Sequence, residues 1–213
     1  LKLINTRMKK NIRQPKQKRS IQTRRQIKDA AFQLFAQKGI HGTNSKEIVE
    51  LAGVSIGSFY SYFKNKKTLL LEMLEDHCDR VFMTIWQPLN GYTFKDASFE
   101  EARRVIEGVF EAYKIAPEFH RQTHALRYSD PDINRIYDRE RKRETDQIRL
   151  ILEQFLSHQE DEVLSSAAIV IHNLVESVVH TYKFLGPEMD KDTLIDQVAK
   201  MIVGYLRVYD INT

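Results

Sequence analysis

Cysteine, long hydrophobic runs and, in the first third of the chain, acidic residues are all scarce in this sequence. Because the single cysteine, Cys78, cannot form an internal disulfide, a reducing cytoplasm is the expected location. No apolar run approaches the roughly 20 residues that span a bilayer, so no membrane span is predicted. No secretory signal opens the chain, and Met8, just before a basic run, is interpreted as the natural start, with residues 1 to 7 upstream of it.

The scarcity of acidic residues is confined to the N-terminal part. Residues 1 to 67 carry 16 lysines and arginines against three acidic residues, a net charge of +13, whereas the remaining 146 residues carry 17 against 26, a net charge of −9. This asymmetry, hidden in an overall charge of +4, indicates a polyanionic partner for the first part only. Residues 1 to 19, taken alone, are typical of a solvated, disordered basic tail.

Helical periodicity begins soon after this tail. Thr23 is a candidate cap for a first helix that ends at Gly39, and its apolar stripe consists of Ile27, Ala30, Ala31, Leu34 and Phe35. In the next segment Asn44 and Glu47 have the spacing of a capping box. A short second helix should follow, with Ile48, Leu51 and Ala52 as its apolar stripe, and should end at Gly53.

A third helix is predicted two residues later, with Ser55 as its cap. A helix, a tight glycine turn and a helix together define a helix-turn-helix. At about 100° per residue, Ile56, Phe59, Tyr60 and Phe63 share one side of the third helix, and Gly57, Ser58, Ser61 and Tyr62 share the other. The rings would hold the helix against the first two, while the small residues would let its axis approach the major groove of DNA. The alternative is that the small residues only mark a solvent face.

The segment from Arg24 to Leu71, which includes AAFQLFAQKGIHGTNSKEIVELAGVSIGSFYSYFKNKKTLL, resembles the tetracycline-repressor (TetR) family of bacterial transcriptional regulators. The resemblance implies phosphate contacts from Thr43 and Asn44, a base-facing surface at Ser55, Gly57 and Ser58, and phosphate contacts from Tyr60 and Tyr62. Tyr60 is alternatively a core residue. The full set predicted to contact DNA is Thr43, Asn44, Ser45, Lys46, Ser55, Ile56, Gly57, Ser58, Tyr60, Ser61, Tyr62 and Lys66.

Lys66 is predicted to clamp a phosphate, because it stands at the start of a fourth helix capped by Asn65. Two positions depart from the family pattern. Ile56 stands where members often have a basic residue or proline, and Ser61 stands where a second tyrosine is common. The operator sequence therefore does not follow from the resemblance.

The rest of the chain is also predicted to be helical. A fourth helix should run from Lys66 to about Trp86, and Ser98 with Glu101 should cap another that ends near Pro117. PEFHRQTHALRYSDPD (117–132) is predicted to be a further helix closed by turn residues. A long helix covers about 132 to 158, in which DRERKRE is interpreted as a solvated charge run. The predicted fold is all-α, with a basic tail (1–19), a three-helix DNA-binding domain (20–67) and a larger domain for effector binding and dimerisation (68–213).

The last two predicted helices are apolar over more than half their circumference, so each should bury a second face. The same helices of a second copy would supply it, giving a homodimer with two-fold symmetry. Alternatively, other helices of the same chain cover both faces. The residues assigned to the dimer interface are Val170, Leu174, Val178, Tyr182, Val198, Ile202 and Tyr205.

Residues that could carry chemistry form weak patterns. His172, Glu176 and His180 are spaced four apart, as are His120 and His124, but neither set brings a convincing third and fourth ligand, so no metal is predicted. Cys78 is interpreted as a buried structural thiol rather than a redox sensor. The sequence shows no glycine-rich phosphate loop, nucleophile elbow or paired-acid motif. Neither catalysis nor a cofactor is therefore expected.

The TetR resemblance implies an effector pocket among the later helices, and aromatic side chains there would suit an apolar or amphipathic molecule. The residues assigned to it are Trp86, Phe94, Phe110, Tyr113, Phe119, His120 and His124. The predicted function is a repressor that a small ligand releases from palindromic double-stranded DNA. The alternative is a DNA-bound scaffold of the same fold with no inducer, and an internal cavity would favour the first function.

Overall fold

The structure is a computed structural model that describes residues 15–94, 98–186 and 190–210. Within these ranges the backbone is almost entirely helical and contains no strand, which confirms the predicted fold class. The chain divides into two compact units between Leu69 and Leu70. The first 14 residues of the predicted basic tail lie outside the described ranges, whereas residues 15 to 19 are helical.

The first unit contains α1 (Pro15–Gly42), α2 (Ser45–Ala52), α3 (Ile56–Tyr62) and the start of α4 (Lys66–Trp86). Helix α1 begins eight residues before the predicted cap, at a proline, which suits the first turn of a helix. Its geometry breaks at Gly39, where φ is 79° and ψ is 163°. The five residues of its predicted stripe are all buried, as expected.

The second unit contains the rest of α4, a 3₁₀ turn (Gln87–Leu89), α5 (Phe99–Ala112), α6 (Pro117–Leu126), α7 (Pro131–Leu152), α8 (Asp161–His180) and α9 (Lys191–Asp210). Helix α5 ends earlier than predicted, at Ala112. The left-handed Ala116 (φ 50°) separates it from Pro117, the first residue of α6.

Helix α7 also ends earlier than predicted, at Leu152 rather than His158. The amide of Leu156 donates to the carbonyl of Leu152 over 2.8 Å, and the turns that follow the helix carry the Leu156 side chain into the core, where it is 0% exposed. Phe110, Ala167 and Ile195 are also fully buried in this core. The regular helix therefore gives way to turns after Leu152, while Leu156 packs in the same core as Leu152.

Part of the predicted dimer face is covered within the chain. Val198 and Ile202 on α9 belong to the core of the second unit, with exposures of 2% and 9%, so their assignment to an interface between copies was wrong. Leu174, Val178, Tyr182 and Tyr205 are half-buried, and Val170 is 56% exposed. The apolar surface of these two helices is therefore divided between the core and the outside of the chain.

The segment Asp161–Phe184, which is α8 and most of the π-helical turn after it (Thr181–Leu185), is long and apolar enough, by length and composition, to cross a membrane. No membrane span was predicted from the sequence. The core helix of a soluble protein has the same character, and Ala167, Ala168 and Val179 of this helix are buried against their neighbours.

Candidate nucleic-acid interface and internal cavity

The start of α2 is fixed by a reciprocal cap. The side-chain oxygen of Asn44 accepts from the amides of Lys46 and Glu47 over 3.0 and 3.1 Å, and the Glu47 carboxylate accepts from the Asn44 amide over 3.0 Å. Lys38 also donates to Glu47. These contacts confirm the predicted capping box. They also mean that the Asn44 side chain already has backbone partners, while the residue itself remains exposed.

The turn between α2 and α3 brings the small residues of α3 to the surface. Gly53 adopts the left-handed conformation (φ 64°) that the tight turn requires. Ser55 caps α3 by accepting from the amide of Ser58 over 3.0 Å, and the hydroxyl of Ser61 donates to the carbonyl of Gly57 over 2.9 Å. Ser55, Gly57 and Ser61 are exposed and Ser58 is half-buried. Gly57 and Ser61 are therefore exposed on α3, as predicted, whereas Ser58 is only partly exposed.

The aromatic side of α3 is narrower than predicted. Phe59 and Phe63 are fully buried, and their ring centroids lie 5.8 Å apart. Ile56 and Tyr60 are 42% and 57% exposed, so their predicted place in the buried face was wrong. Residues four apart lie nearly in line on a helix, whereas Tyr60 lies about 100° around the axis from Phe59. Both exposed residues extend the outward surface, with Tyr62 half-buried beside them.

A similar shift of face occurs in α2. Ile48 is buried as predicted, but its buried neighbour is Val49, and Leu51 is 49% exposed. The predicted stripe through Leu51 was therefore wrong. Ser45 is half-buried and Lys46 is exposed at the start of the same helix, so Lys46 remains a candidate for contact with a phosphate.

Lys66 lies at the start of α4 and contacts backbone carbonyls. Its ammonium donates to the carbonyls of Ile40 and Thr43 over 2.7 and 2.6 Å. Thr43 is buried, and its hydroxyl donates to the carbonyl of Gly39 over 2.8 Å. Partial burial lowers the pKa of Lys66. An ammonium has three N–H donors, so Lys66 has one left for a phosphate after it has joined α4 to the end of α1.

The second unit contains a partly open cavity of about 130 Å³. Its walls are mainly aliphatic and aromatic side chains from α4, α5, α7, α8, α9 and the segments that follow α4, α5 and α7. They include Ile85, Trp86, Phe94, Ala102, Val105, Val109, Tyr113, Ile148, Phe155, Ile171, Val175 and Leu206. Polar side chains also line it, among them Glu144, His172 and Glu176. An apolar space with a few convergent polar groups is the usual form of a small-molecule site.

The structure brings together only some of the residues assigned to an effector pocket. Trp86, Phe94 and Tyr113 line the cavity, but Phe110 is fully buried in the core. Phe119 packs against His77 with ring centroids 5.7 Å apart. His120 lines a separate space of about 30 Å³ that Tyr113, Glu144 and Glu176 also border.

The polar residues of the cavity are held by each other. His172 and Glu144 are joined by a hydrogen bond of 2.7 Å between Nε2 and a carboxylate oxygen. Although burial alone would lower the pKa of His172, the hydrogen bond and the charge of Glu144 raise it. Sequence reasoning missed Glu144, because it lies in the run interpreted as solvated. The available signal was its helical spacing from the buried Tyr137, seven residues earlier.

Glu140 from the same run is also not solvated. Its Oε1 is buried and has no hydrogen-bond partner among the described residues. Burial, reinforced by the neighbouring charge of Glu144, raises the pKa of Glu140 from 4.5 to about 7. The interpretation of DRERKRE as a wholly solvated run was therefore wrong, since one side of it faces the interior of the second unit.

Glu140→Gln is expected to stabilise the protein at pH 8. The carboxyl of Glu140 ionises near pH 4.5 in the unfolded chain and near pH 7 in the folded one, so stability is lost as pH rises between these values. The gain from glutamine should therefore be absent below pH 4.5, grow up to pH 7 and then stay constant. After allowance for solvent screening we expect about 1–2 kcal/mol at pH 8.

Urea unfolding of both proteins at pH 4.5, 6 and 8 measures this difference. The exposed Glu160 gives a matched control, and Glu160→Gln should change stability by less than about 0.5 kcal/mol at each pH. A gain from Glu140→Gln that is equal at all three pH values would show that Glu140 ionises normally in the folded protein.

Cys78 of α4 is buried beside these groups. Burial is the main cause of a raised pKa for its thiol, and the carboxylates of Glu140 and Glu144 add to it. The thiol is therefore protonated at neutral pH, as expected for a structural cysteine.

A capped α2, a left-handed glycine turn and an α3 with small exposed residues form a helix-turn-helix, the element with which many transcriptional regulators bind DNA. Sequence comparison identifies the family. Residues 27–73 match the family described as bacterial regulatory proteins, tetR family, and residues 100–206 match the tetracyclin repressor-like C-terminal domain. The chain therefore belongs to the TetR family of transcriptional regulators, as the resemblance predicted.

The curated relatives align with only part of this chain. The HTH-type regulator YuxN of Bacillus subtilis (strain 168) is 38% identical over 85 residues, which is 40% of this chain and 28% of YuxN. The HTH-type transcriptional repressor KstR2 of Mycolicibacterium smegmatis is 29% identical over 107 residues, 50% of this chain and 48% of KstR2. The chain thus spans between about a quarter and a half of the length of these relatives.

Solved structures share the fold along almost the whole chain. A regulator from Mesorhizobium loti MAFF303099 superposes with a TM-score of 0.70 at 19% identity, covering 89% of this chain and 97% of that one. A regulator from Saccharomonospora viridis in complex with choline gives a TM-score of 0.68 at 19% identity, covering 87% and 97%. At these identities the likeness shows the fold alone.

Proposed function

We propose that this regulator is a cytoplasmic repressor that binds palindromic DNA as a homodimer and releases it when a small apolar or amphipathic ligand occupies the internal cavity. The observation that carries the proposal is the cavity itself, which lies in the second unit and has apolar walls with a polar region at Glu144, His172 and Glu176. The choline complex of the Saccharomonospora viridis regulator supports a small-molecule effector in a protein of this fold. A scaffold without an inducer would need no such space.

The proposed DNA contacts belong to the outward surface of the first unit. Ser55, Gly57 and Ser58 face the bases, and Tyr60 and Tyr62 reach phosphates on either side of the groove. Asn44, Ser45, Lys46, Ile56 and Ser61 line the edges of the contact. Lys66 contributes one N–H to a phosphate while its other two hold the carbonyls of Ile40 and Thr43. Thr43 acts through its buried backbone position rather than through its hydroxyl.

Release follows from a shift between two arrangements of the dimer. Successive major grooves on one face of DNA are about 34–36 Å apart, so both recognition helices bind only when their spacing matches. A ligand that binds more tightly to the arrangement in which the recognition helices have a different spacing favours that arrangement. The dimer then dissociates from DNA.

Two experiments test the proposal in sequence. Selection from a random DNA library should return a palindrome, and a chemically diverse panel of small molecules should then be screened for release of that DNA. The discriminating variant is Ala102→Phe, which fills the cavity from α5. It should bind DNA as the wild type does and no longer respond to the ligand.

Ala125, exposed on α6, provides the matched control. Ala125→Phe should keep both the DNA affinity and the ligand response. If Ala102→Phe responds to the ligand as well as the wild type, the cavity is not the effector site. If no compound changes DNA binding while the palindrome is bound tightly, the scaffold function is favoured.

The homodimer should form through the apolar surface that α8 and α9 leave exposed. Ile169, Val170, Met201 and Val208 are 43%, 56%, 58% and 56% exposed, and surfaces of this kind usually mark an interface. Val170→Asp is expected to convert the dimer to a monomer, because it buries an unpaired carboxylate in the interface. A charge at Ile202 would instead disrupt the core and report nothing about assembly.

Analytical ultracentrifugation at micromolar concentration measures the mass, and circular dichroism checks that the variant retains its helices. Ile21→Asp is the matched control, since Ile21 is an aliphatic residue that is 62% exposed on α1. It should remain a dimer. A wild-type monomer, or a Val170→Asp dimer as tight as the wild type, would contradict the proposed interface.

A further inference from the structure

Two helices of the second unit each present a pair of possible metal ligands one turn apart. Helix α6 carries His120 and His124, and helix α8 carries Glu176 and His180. Residues four apart share one face of a helix, so both members of each pair point the same way. In the structure these two faces lie against each other. A pair on one helix can therefore gain a third ligand from the other helix, which the sequence alone does not show.

Three of these side chains converge. Ligand atoms of His124, Glu176 and His180 all lie within 4.8 Å of one another. The Nε2 of His124 lies 3.8 Å from a carboxylate oxygen of Glu176, and the rings of His124 and His180 have centroids 4.5 Å apart. The 3.8 Å separation exceeds a hydrogen bond, so direct contact does not satisfy these two groups. Donor atoms face a common point.

His124, Glu176 and His180 combine two imidazoles with one carboxyl group. These groups bind a metal ion through a neutral imidazole nitrogen and an ionised carboxylate oxygen.

We propose that His124, Glu176 and His180 form a binding site for a divalent transition-metal ion, with Zn²⁺ as its representative. Two imidazoles and one carboxylate suit zinc and its first-row neighbours, whereas calcium and magnesium prefer oxygen ligands. Three protein ligands leave a fourth tetrahedral position open. Glu176, one of the three ligands, also lines the internal cavity.

Nearby groups are placed to orient the ligands. The Nε2 of His180 lies 3.2 Å from His120 Nε2 and 3.2 Å from the hydroxyl of Tyr113. His120 is held in turn by His77, with 3.3 Å between ring nitrogens. Outer groups that fix the orientation of a ligating histidine are a regular part of metal sites. His77, His120 and Tyr113 are therefore positioning residues for His180.

Binding requires a modest contraction. Ligand atoms about 2.0–2.1 Å from a tetrahedral zinc ion lie roughly 3.4 Å apart, so the three side chains must draw in by about 1 Å. All three are only partly buried, and His124 and Glu176 keep 20% and 26% of their side-chain surfaces exposed. Rotation about side-chain bonds is therefore sufficient.

Metal titration of the full-length protein tests the site. The tag-free chain, stripped with a chelator, is titrated with Zn²⁺ in competition with a chromophoric chelator. We expect one ion per chain for the wild type and at least a ~100-fold loss of affinity in both His124→Asn and Glu176→Gln. Titration with Co²⁺ should give the visible absorption of a tetrahedral nitrogen and oxygen site in the wild type and not in these variants.

Two exposed histidines outside the site provide controls. His41 and His158 are exposed, and His41→Asn and His158→Asn should bind zinc as the wild type does. Glu176→Gln preserves shape, so it keeps the test valid if His124→Asn fails to fold, which circular dichroism would show. Absence of zinc binding to the wild type, or a single zinc site whose affinity the His124 and Glu176 substitutions leave unchanged, would overturn the proposal. Because no DNA enters the titration, either result leaves the proposed repressor function intact.

Discussion

Phe59→Ala is expected to unfold the DNA-binding unit at temperatures where the wild type is folded. The Phe59 ring is fully buried, and it packs at the centre of α3 with the Phe63 ring 5.8 Å away. Truncation of a buried phenylalanine costs about 3–5 kcal/mol, because it removes buried apolar surface and leaves a cavity. Such a loss is large beside the total stability of about 5–15 kcal/mol typical of a domain.

Thermal and urea unfolding measure this effect, and the neighbouring Tyr60 supplies the control. Tyr60 stands on the same helix but is 57% exposed, so Tyr60→Ala should cost less than about 1 kcal/mol. DNA binding should disappear in Phe59→Ala as a consequence of unfolding. If Phe59→Ala and Tyr60→Ala lower the melting temperature equally, the Phe59 ring is not part of the core.

Gly57→Leu is expected to have the opposite profile, with DNA binding lost and stability kept or raised. Gly57 is exposed, and a Cβ added there would meet only the Ser55 hydroxyl oxygen, at 3.8 Å. Leucine is favoured over glycine within a helix by up to about 1 kcal/mol, so the melting temperature should not fall. A bulky side chain would nevertheless hold the helix axis away from the base edges. We expect the affinity for the selected operator to fall by at least ~100-fold, which corresponds to about 2.7 kcal/mol.

Gly108→Leu is the matched control for this variant. Gly108 is helical, lies on α5 in the other unit, and an added Cβ there would meet nothing within 4 Å. The same substitution should therefore leave operator binding unchanged. If Gly57→Leu binds the operator with wild-type affinity, the outward surface of α3 does not enter the groove.

Features that depend on a few consecutive residues could be predicted from the sequence. The cap at Asn44 and Glu47, the cap at Ser55 and the left-handed Gly53 all involve groups within four residues of one another, and all are present in the structure. Their hydrogen bonds are short-range, so the local spacing of residue types is sufficient to specify them.

Features that depend on which neighbour covers a face could not be predicted in this way. The spacing of apolar residues predicts which side of α3 and α9 is apolar. It does not predict how many residues on that side are buried. Among the described residues Tyr60 is left exposed on α3, whereas Val198 is buried because the chain's own core reaches it. The convergence of His124 with Glu176 is of the same kind, since it exists only once α6 and α8 are packed together.

Because its thiol is buried, Cys78 can report on opening of the second unit. With its sulfur covered and protonated, the folded second unit resists alkylating reagents, which attack exposed thiolates. Labelling of the unmodified chain therefore requires that unit to open, and the labelling rate measures how often it does so. Because no other cysteine competes, the same measurement in the presence of DNA, zinc or a cavity ligand would show which of them rigidifies the second unit, without any engineered probe.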